Sequence, residues 1–177
     1  FHEAVDKVMM GDKLSRKPSV DELRRVAIHE SGHALISEHV RKGSVSTLTI
    51  TPRGKALGYM RQIPEDDTYL YTRQYLEDQI AIMLAGALAE DMVLGNRSTG
   101  ASGDFEQAVK TAEHIIKSGM SELGVVSLDM IPAETRFRVT GEIIKEQENR
   151  VRGYLETKEK ALCEVVELLL EEERISG

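Results

Sequence analysis

Cysteine is almost missing from this sequence: Cys163 is the only one in 177 residues. An intramolecular disulfide and a cysteine-built metal site are therefore both excluded. A single thiol fits a reducing compartment, and the apolar residues around Cys163 predict a packing role. Tryptophan is absent, aromatic residues make up 5%, and 30 acidic residues outweigh 23 basic ones for a net charge of -7. Without a dense basic stripe, nucleic acid is not an expected partner. Long apolar runs are absent too. The longest, Ile80 to Ala89, ends in acidic residues and is far shorter than the roughly 20 residues that cross a bilayer, so no membrane span is expected. No basic segment is followed by an apolar one, as a signal peptide requires, and the opening Phe1 reads as the start of an excised fragment.

The sequence does contain enough apolar residues, 41%, to fill the core of one ordinary domain. Residues 1 to 10 read as a short amphipathic piece and Gly11 to Pro18 as a polar connector, so 1–18 is expected to be a linker. Ser19 and Glu22 form a capping-box pattern ahead of Leu23, Val26 and Ala27, which predicts a helix over about 20–41, closed by Gly43. Alternation in Val45 to Thr51 and in Leu57 to Ile63, around Pro52-Arg53-Gly54, predicts two short strands joined by a turn. Thr72 caps a second helix whose apolar positions (Leu76, Ile80, Met83, Leu84, Ala87, Leu88) recur until Gly95. A small, polar loop over 96–103 leads to a third helix marked by Phe105, Ala108, Val109, Ala112, Ile115 and Ile116. The stretch 118–138 shows no period and reads as irregular. Two charged amphipathic helices follow, over about 140–156 and 158–173, with Val151, Leu155, Leu162, Val165, Val166 and Leu169 as packing positions. The expected fold is mainly α, with a small β-hairpin or sheet and a C-terminal helical bundle; the core spans 19–138 and the closing helices 139–177.

Chemistry concentrates in His29-Glu30-Ser31-Gly32-His33. Helical residues four apart differ by about 40° in rotation and 6 Å in rise, so two imidazoles at that spacing project toward one ion. Glu30 lies near the same edge, too far round to ligate comfortably but able to take a proton from a water at the ion. The pattern predicts a zinc hydrolase with His29 and His33 as ligands and Glu30 as general base.

A hydrolytic zinc site normally has a third protein ligand. His39 follows His29 by ten residues, but Ile36 stands where a chain-turning glycine would be needed, which leaves His39 on another face as a surface residue. Glu90, with Glu77 behind it, is a possible donor from a downstream helix; its alternative is a solvated acidic pair with Asp91. Asp104 stands at a loop-to-helix junction among small residues, and its alternative is an ordinary helix cap. The residues alone leave Glu90 and Asp104 open.

Arg25-Val26-Ala27-Ile28-His29-Glu30-Ser31-Gly32-His33-Ala34, Leu57-Gly58-Tyr59, Ser98-Thr99-Gly100-Ala101-Ser102-Gly103-Asp104 and Gly119-Met120-Ser121-Glu122-Leu123-Gly124 together resemble the protease domain of the FtsH family. Members are membrane-anchored AAA+ zinc metalloproteases, and the resemblance covers essentially the whole chain. It implies one zinc ion held by His29, His33 and Asp104, with Glu30 activating the water. It also implies a homo-hexameric ring that receives unfolded or membrane-derived polypeptide from an ATPase ring. ATP would bind only in that ATPase module, since no G-x-x-x-x-G-K-[ST] pattern occurs here. Membrane attachment would come through segments outside this sequence, on the cytoplasmic face of a bacterial inner membrane or its organelle equivalent. Gly58, Tyr59 and Met60, on the second strand, are the expected substrate-binding positions, where an extended chain could pair with the strand edge. The alternative function is an inactive ring-forming scaffold that holds chains without cutting them.

Overall fold

The computed structural model describes residues 16–52, 56–64 and 69–177; the first fifteen residues, including most of the expected linker, lie outside it. Helix α1 (Val20–Val40) starts as the capping box requires. Ser19 Oγ accepts the Glu22 N–H at 3.2 Å, and the Glu22 carboxylate accepts the Ser19 N–H at 2.7 Å, satisfying two donors that a helix start leaves free. Arg41, in an extended conformation, ends the helix, and Gly43 at φ 76° turns the chain into the sheet.

Strands β1 (Val45–Thr49) and β2 (Tyr59–Gln62) pair antiparallel with Leu48 opposite Met60. Both are shorter than the alternation suggested. A third strand, β3 (Arg174–Ser176), was not anticipated; it pairs with the other side of β1 and places Ile175 opposite Leu48. Three residues with one apolar side chain carry too little alternation to signal a strand. The sheet order is β2-β1-β3, so one edge of β2 has no strand beside it among the described residues.

Helix α2 (Arg73–Leu94) is the central element, capped by Thr72 and stopped by Gly95 in the left-handed conformation, as its sequence predicts. Its buried residues Ile80, Leu84 and Leu88 meet α1, α3 (Ser102–Lys117) and α4 (Ala133–Thr157). A 3-10 turn, Thr99–Ala101, leads into α3, and α5 (Glu159–Glu172) follows α4 after Lys158 alone. Val139, Val151, Leu155, Leu162, Val166 and Leu169 join the same hydrophobic cluster.

Three expectations need correction. Helix α4 begins at Ala133, not near 140, and absorbs the last part of the stretch read as irregular. Its opening turns hide no apolar face, Phe137 being 83% exposed, so periodicity could not reveal them. Cys163 is exposed and does not pack. Val109 stays partly exposed while Ala108 and Ala112 face the core.

Gly32 sets the distance between α1 and α2. A Cβ there would lie 2.5 Å from the Ala85 carbonyl oxygen and 2.6 Å from Ala89 Cβ, which no side chain can occupy without moving backbone. Gly32→Ala should therefore force the helices apart and destabilise the fold by about 1–3 kcal/mol. Gly153→Ala on α4, where an added Cβ meets nothing within 4 Å, should stabilise by roughly 0.5–1 kcal/mol. Chemical denaturation of the two variants checks the contrast.

Candidate metal centre

His29 and His33 sit one turn apart on the buried face of α1, with ring centroids 4.6 Å apart and planes at 78°. Their Nε2 atoms are 3.0 Å apart. Asp104, in the first turn of α3, brings Oδ2 to 3.1 Å from His29 Nε2 and 3.3 Å from His33 Nε2. Zinc bonds of about 2.0–2.1 Å at tetrahedral angles require donor atoms roughly 3.3 Å apart, so this set fits a zinc ion. No other cluster of three or more such donors occurs among the described residues.

Each donor is oriented by a separate feature. A carbonyl can only accept, so His33 Nδ1 donates its N–H to the Ile82 carbonyl of α2, at 2.6 Å. That fixes the tautomer and leaves the Nε2 lone pair free for a metal. His29 is held by shape. At Gly86 a Cβ would lie 2.6–2.7 Å from three atoms of its ring, so α2 needs glycine where the imidazole rests. Asp104 does not act as an N-cap; Ala101 occupies that position, and the carboxylate turns to the two imidazoles.

The electrostatics agree with a site that expects a cation. Burial pushes the Asp104 carboxyl upward, but hydrogen bonds from both histidines and their charge overcome it and hold the group far below the usual carboxylate range. Burial would lower His33, yet its hydrogen bond to Asp104 and the charge of Glu30 raise it on balance. Glu30 is raised by burial, against the opposing pull of the two imidazoles and a hydrogen bond from the Met60 backbone. A carboxyl shifted upward is better suited to exchanging protons near neutral pH.

Gly58, Tyr59 and Met60 line a cavity of about 330 Å³ over these groups, together with Met83 and Gly100. A Cβ on Gly58 would press on Val26 at 2.6 Å, the Thr49 carbonyl at 2.8 Å and Glu30 Cγ at 3.2 Å, so glycine lets β2 lie directly over α1.

The other candidates lie outside the donor set. His39 is exposed and stacks on Tyr154 with centroids 3.9 Å apart, and Glu77 pairs with Arg73. Glu90 is neither solvated nor part of the cluster. It is 1% exposed, accepts the Ser98 N–H at 2.9 Å and the Ser98 hydroxyl at 3.0 Å, and lies 3.6 Å from Arg25. Arg25 in turn donates to Asn96 Oδ1 at 2.6 Å. These contacts tie α1, the end of α2 and the turn leading to Asp104 into one unit. His29 Nδ1, which makes no hydrogen bond, lies 3.8 Å from Glu90 Oε1. Sequence reasoning missed this bracing role of Glu90 and the need for Gly86. An isolated glycine inside a strongly apolar helix was the available signal for Gly86.

A mainly helical fold that gathers both histidines of a His-Glu-x-x-His helix and a carboxylate at zinc spacing defines a metallopeptidase. The chain belongs to peptidase family M41, whose model matches residues 16–142. It is similar to the "ATP-dependent zinc metalloprotease FtsH" of Pseudothermotoga lettingae, with 38% identity over the whole chain and 32% of the relative. The protein of the same name from Methylococcus capsulatus is 37% identical over the whole chain and 32% of its own length. "ATP-dependent zinc metalloprotease FtsH 2" of a Thermoanaerobacter species is 36% identical over 99% of the chain and 36% of that protein. The chain thus spans about a third of the length of the curated relatives it matches. No helix among the described residues is long and apolar enough to cross a membrane.

Gly86→Ala should displace the His29 ring and lower zinc affinity by about 10–100-fold, as loss of an orienting contact does at metal sites. Competition with a zinc-binding dye measures this, and circular dichroism confirms that the helices persist. Unchanged affinity would show that the ring does not depend on this glycine.

Proposed function

We propose that this chain is the proteolytic part of an ATP-dependent, FtsH-like zinc endopeptidase that degrades unfolded or membrane-derived polypeptides. The observation that carries this reading is the set of donor atoms of His29, His33 and Asp104, 3.0–3.3 Å apart, with Glu30 beside it under the edge of β2. His29, His33 and Asp104 would hold a zinc ion, which when bound would supply Lewis acidity toward a scissile carbonyl and a water molecule. Glu30 takes the proton from the attacking water and carries it to the departing amine, so one carboxyl serves first as base and then as acid. No acyl-enzyme is needed. His29, His33 and Asp104 are the proposed ligands, while Gly58, Tyr59 and Met60 guide an extended substrate along β2, where pairing through backbone groups gives broad sequence tolerance.

The relatives' names and the chain's share of their length support a larger assembly. In it an ATPase module, joined through residues 1–18, unfolds the substrate and six copies form a chamber attached to a membrane through other segments. The lone cysteine is compatible with placement on the reducing, cytoplasmic side.

Three variants separate the roles. Asp104→Ala should lose zinc, whereas Glu90→Gln, which keeps the shape of the brace around Ser98, should retain close to the parental content. Loss of zinc from Glu90→Gln but not from Asp104→Ala would move the third ligand to α2. Glu30→Gln should keep zinc and lose casein hydrolysis by at least about 10²–10⁴-fold. Proteolysis persisting in that variant would remove Glu30 from the mechanism. Metal analysis and casein cleavage are measured on the full-length protein with ATP.

A further inference from the structure

Three cavities follow β2 in order. The first, about 350 Å³, lies beside Val26, Leu57 and Gly58 and shares His29 and Glu30 with the metal centre. The second, about 330 Å³, covers the centre itself. The third, about 340 Å³, opens one turn further along α1, where Ser37 follows His33 by four residues. Ile82, whose carbonyl holds His33, borders both the second and the third.

The direction of a bound chain follows from two arguments. The amine released by cleavage needs a proton from Glu30, which borders the first and second cavities but not the third. Residues after the cut therefore lie toward Leu57, and residues before it toward Gln62. Independently, a strand added antiparallel to the outer edge of β2, as β1 is on its inner edge, also runs from Gln62 toward Leu57.

We propose that the third cavity, between the end of α1, the end of β2 and the start of α2, is a specificity subsite for a large, uncharged side chain two or three residues before the cut. Gln62 lies two residues beyond Met60, about 6.8 Å along the strand and on the same face. A substrate residue opposite Gln62 shares that face and points into the cavity. Val40, Ile63, Pro64 and Tyr75 give it apolar walls. The polar groups at the α1 and β2 side are paired with one another: Gln62 Nε2 donates to Ser37 Oγ at 2.6 Å, and Ser37 Oγ lies 2.7 Å from Ser44 Oγ. Asp78 is paired with Arg150 at 2.7 Å, and Arg41 is turned onto the Ile63 carbonyl. A large apolar or aromatic side chain gains contact area there, whereas a charged one finds no unpaired carboxylate and would lose water.

This inference rests on the proteolytic reading above, and its test keeps the two apart. Gln79 of α2 also lines the cavity. Full-length protein with ATP digests unfolded casein, and mass spectrometry maps the cut sites for the parent, Gln79→Trp, which fills the cavity, and Gln62→Ala, which widens it. Zinc content is measured for all three. The parent should favour large uncharged residues over glycine and alanine two or three places before the cut, by about tenfold. Gln79→Trp should abolish that preference and Gln62→Ala should shift it toward larger side chains, with preferences after the cut unchanged. Normal zinc and normal cutting with the same profile before the cut in both variants would overturn the subsite alone. Altered preference only after the cut would overturn it by reversing the direction of the chain. Zinc-loaded parent that cuts nothing would remove the proteolytic reading and the subsite with it.

Discussion

The close approach of α1 to α2 is the constraint on which the rest of the structure depends. Two glycines make it possible, one on each helix. Gly32 lets the α1 backbone settle against Ala85 and Ala89, and Gly86 leaves the gap in α2 that the His29 ring fills. At that separation His33 reaches the Ile82 carbonyl, and Asp104 at the start of α3 meets both imidazoles. Packing at atomic density transmits small displacements rather than absorbing them, so the spacing of the donor atoms is a property of the packed helices and not of the His29-to-His33 stretch alone.

Much of the architecture was legible in local chemistry. The Ser19-Glu22 capping box, the Thr72 cap and the Gly95 stop each marked a helix end where the structure has one, because capping is decided by groups within a few residues. What the sequence hid depends on partners far along the chain. Strand β3 is a strand because β1 has a free side, not because Arg174-Ile175-Ser176 alternates. The first turns of α4 leave Phe137 in solvent, so they lack the periodic face that identifies a helix. At the centre, the spacing of His29 and His33 was readable from helix geometry, whereas the sequence could not show that the tertiary fold brings Asp104 to both Nε2 atoms and leaves Glu90 beside Ser98.

Glu90 illustrates why an acidic residue cannot be assigned from its neighbours in sequence. Next to Asp91 it looks like half of a solvated pair. In the fold it is buried, and its cost is offset by the two hydrogen bonds from Ser98 and by the Arg25 guanidinium. Such a carboxylate braces the turn that leads to Asp104, so the acid that holds the turn and the acid that meets the two imidazoles stand fourteen residues apart in the sequence.

The third strand bears on how the molecule comes into being. His29, Glu30, His33 and Asp104 all leave the ribosome well before Arg174–Ser176, the segment that pairs with β1 on the side away from β2. The sheet that walls the cleft is therefore completed only after the five described helices have been synthesised. The wall of the cleft thus waits on a segment made after all three donor residues, His29, His33 and Asp104.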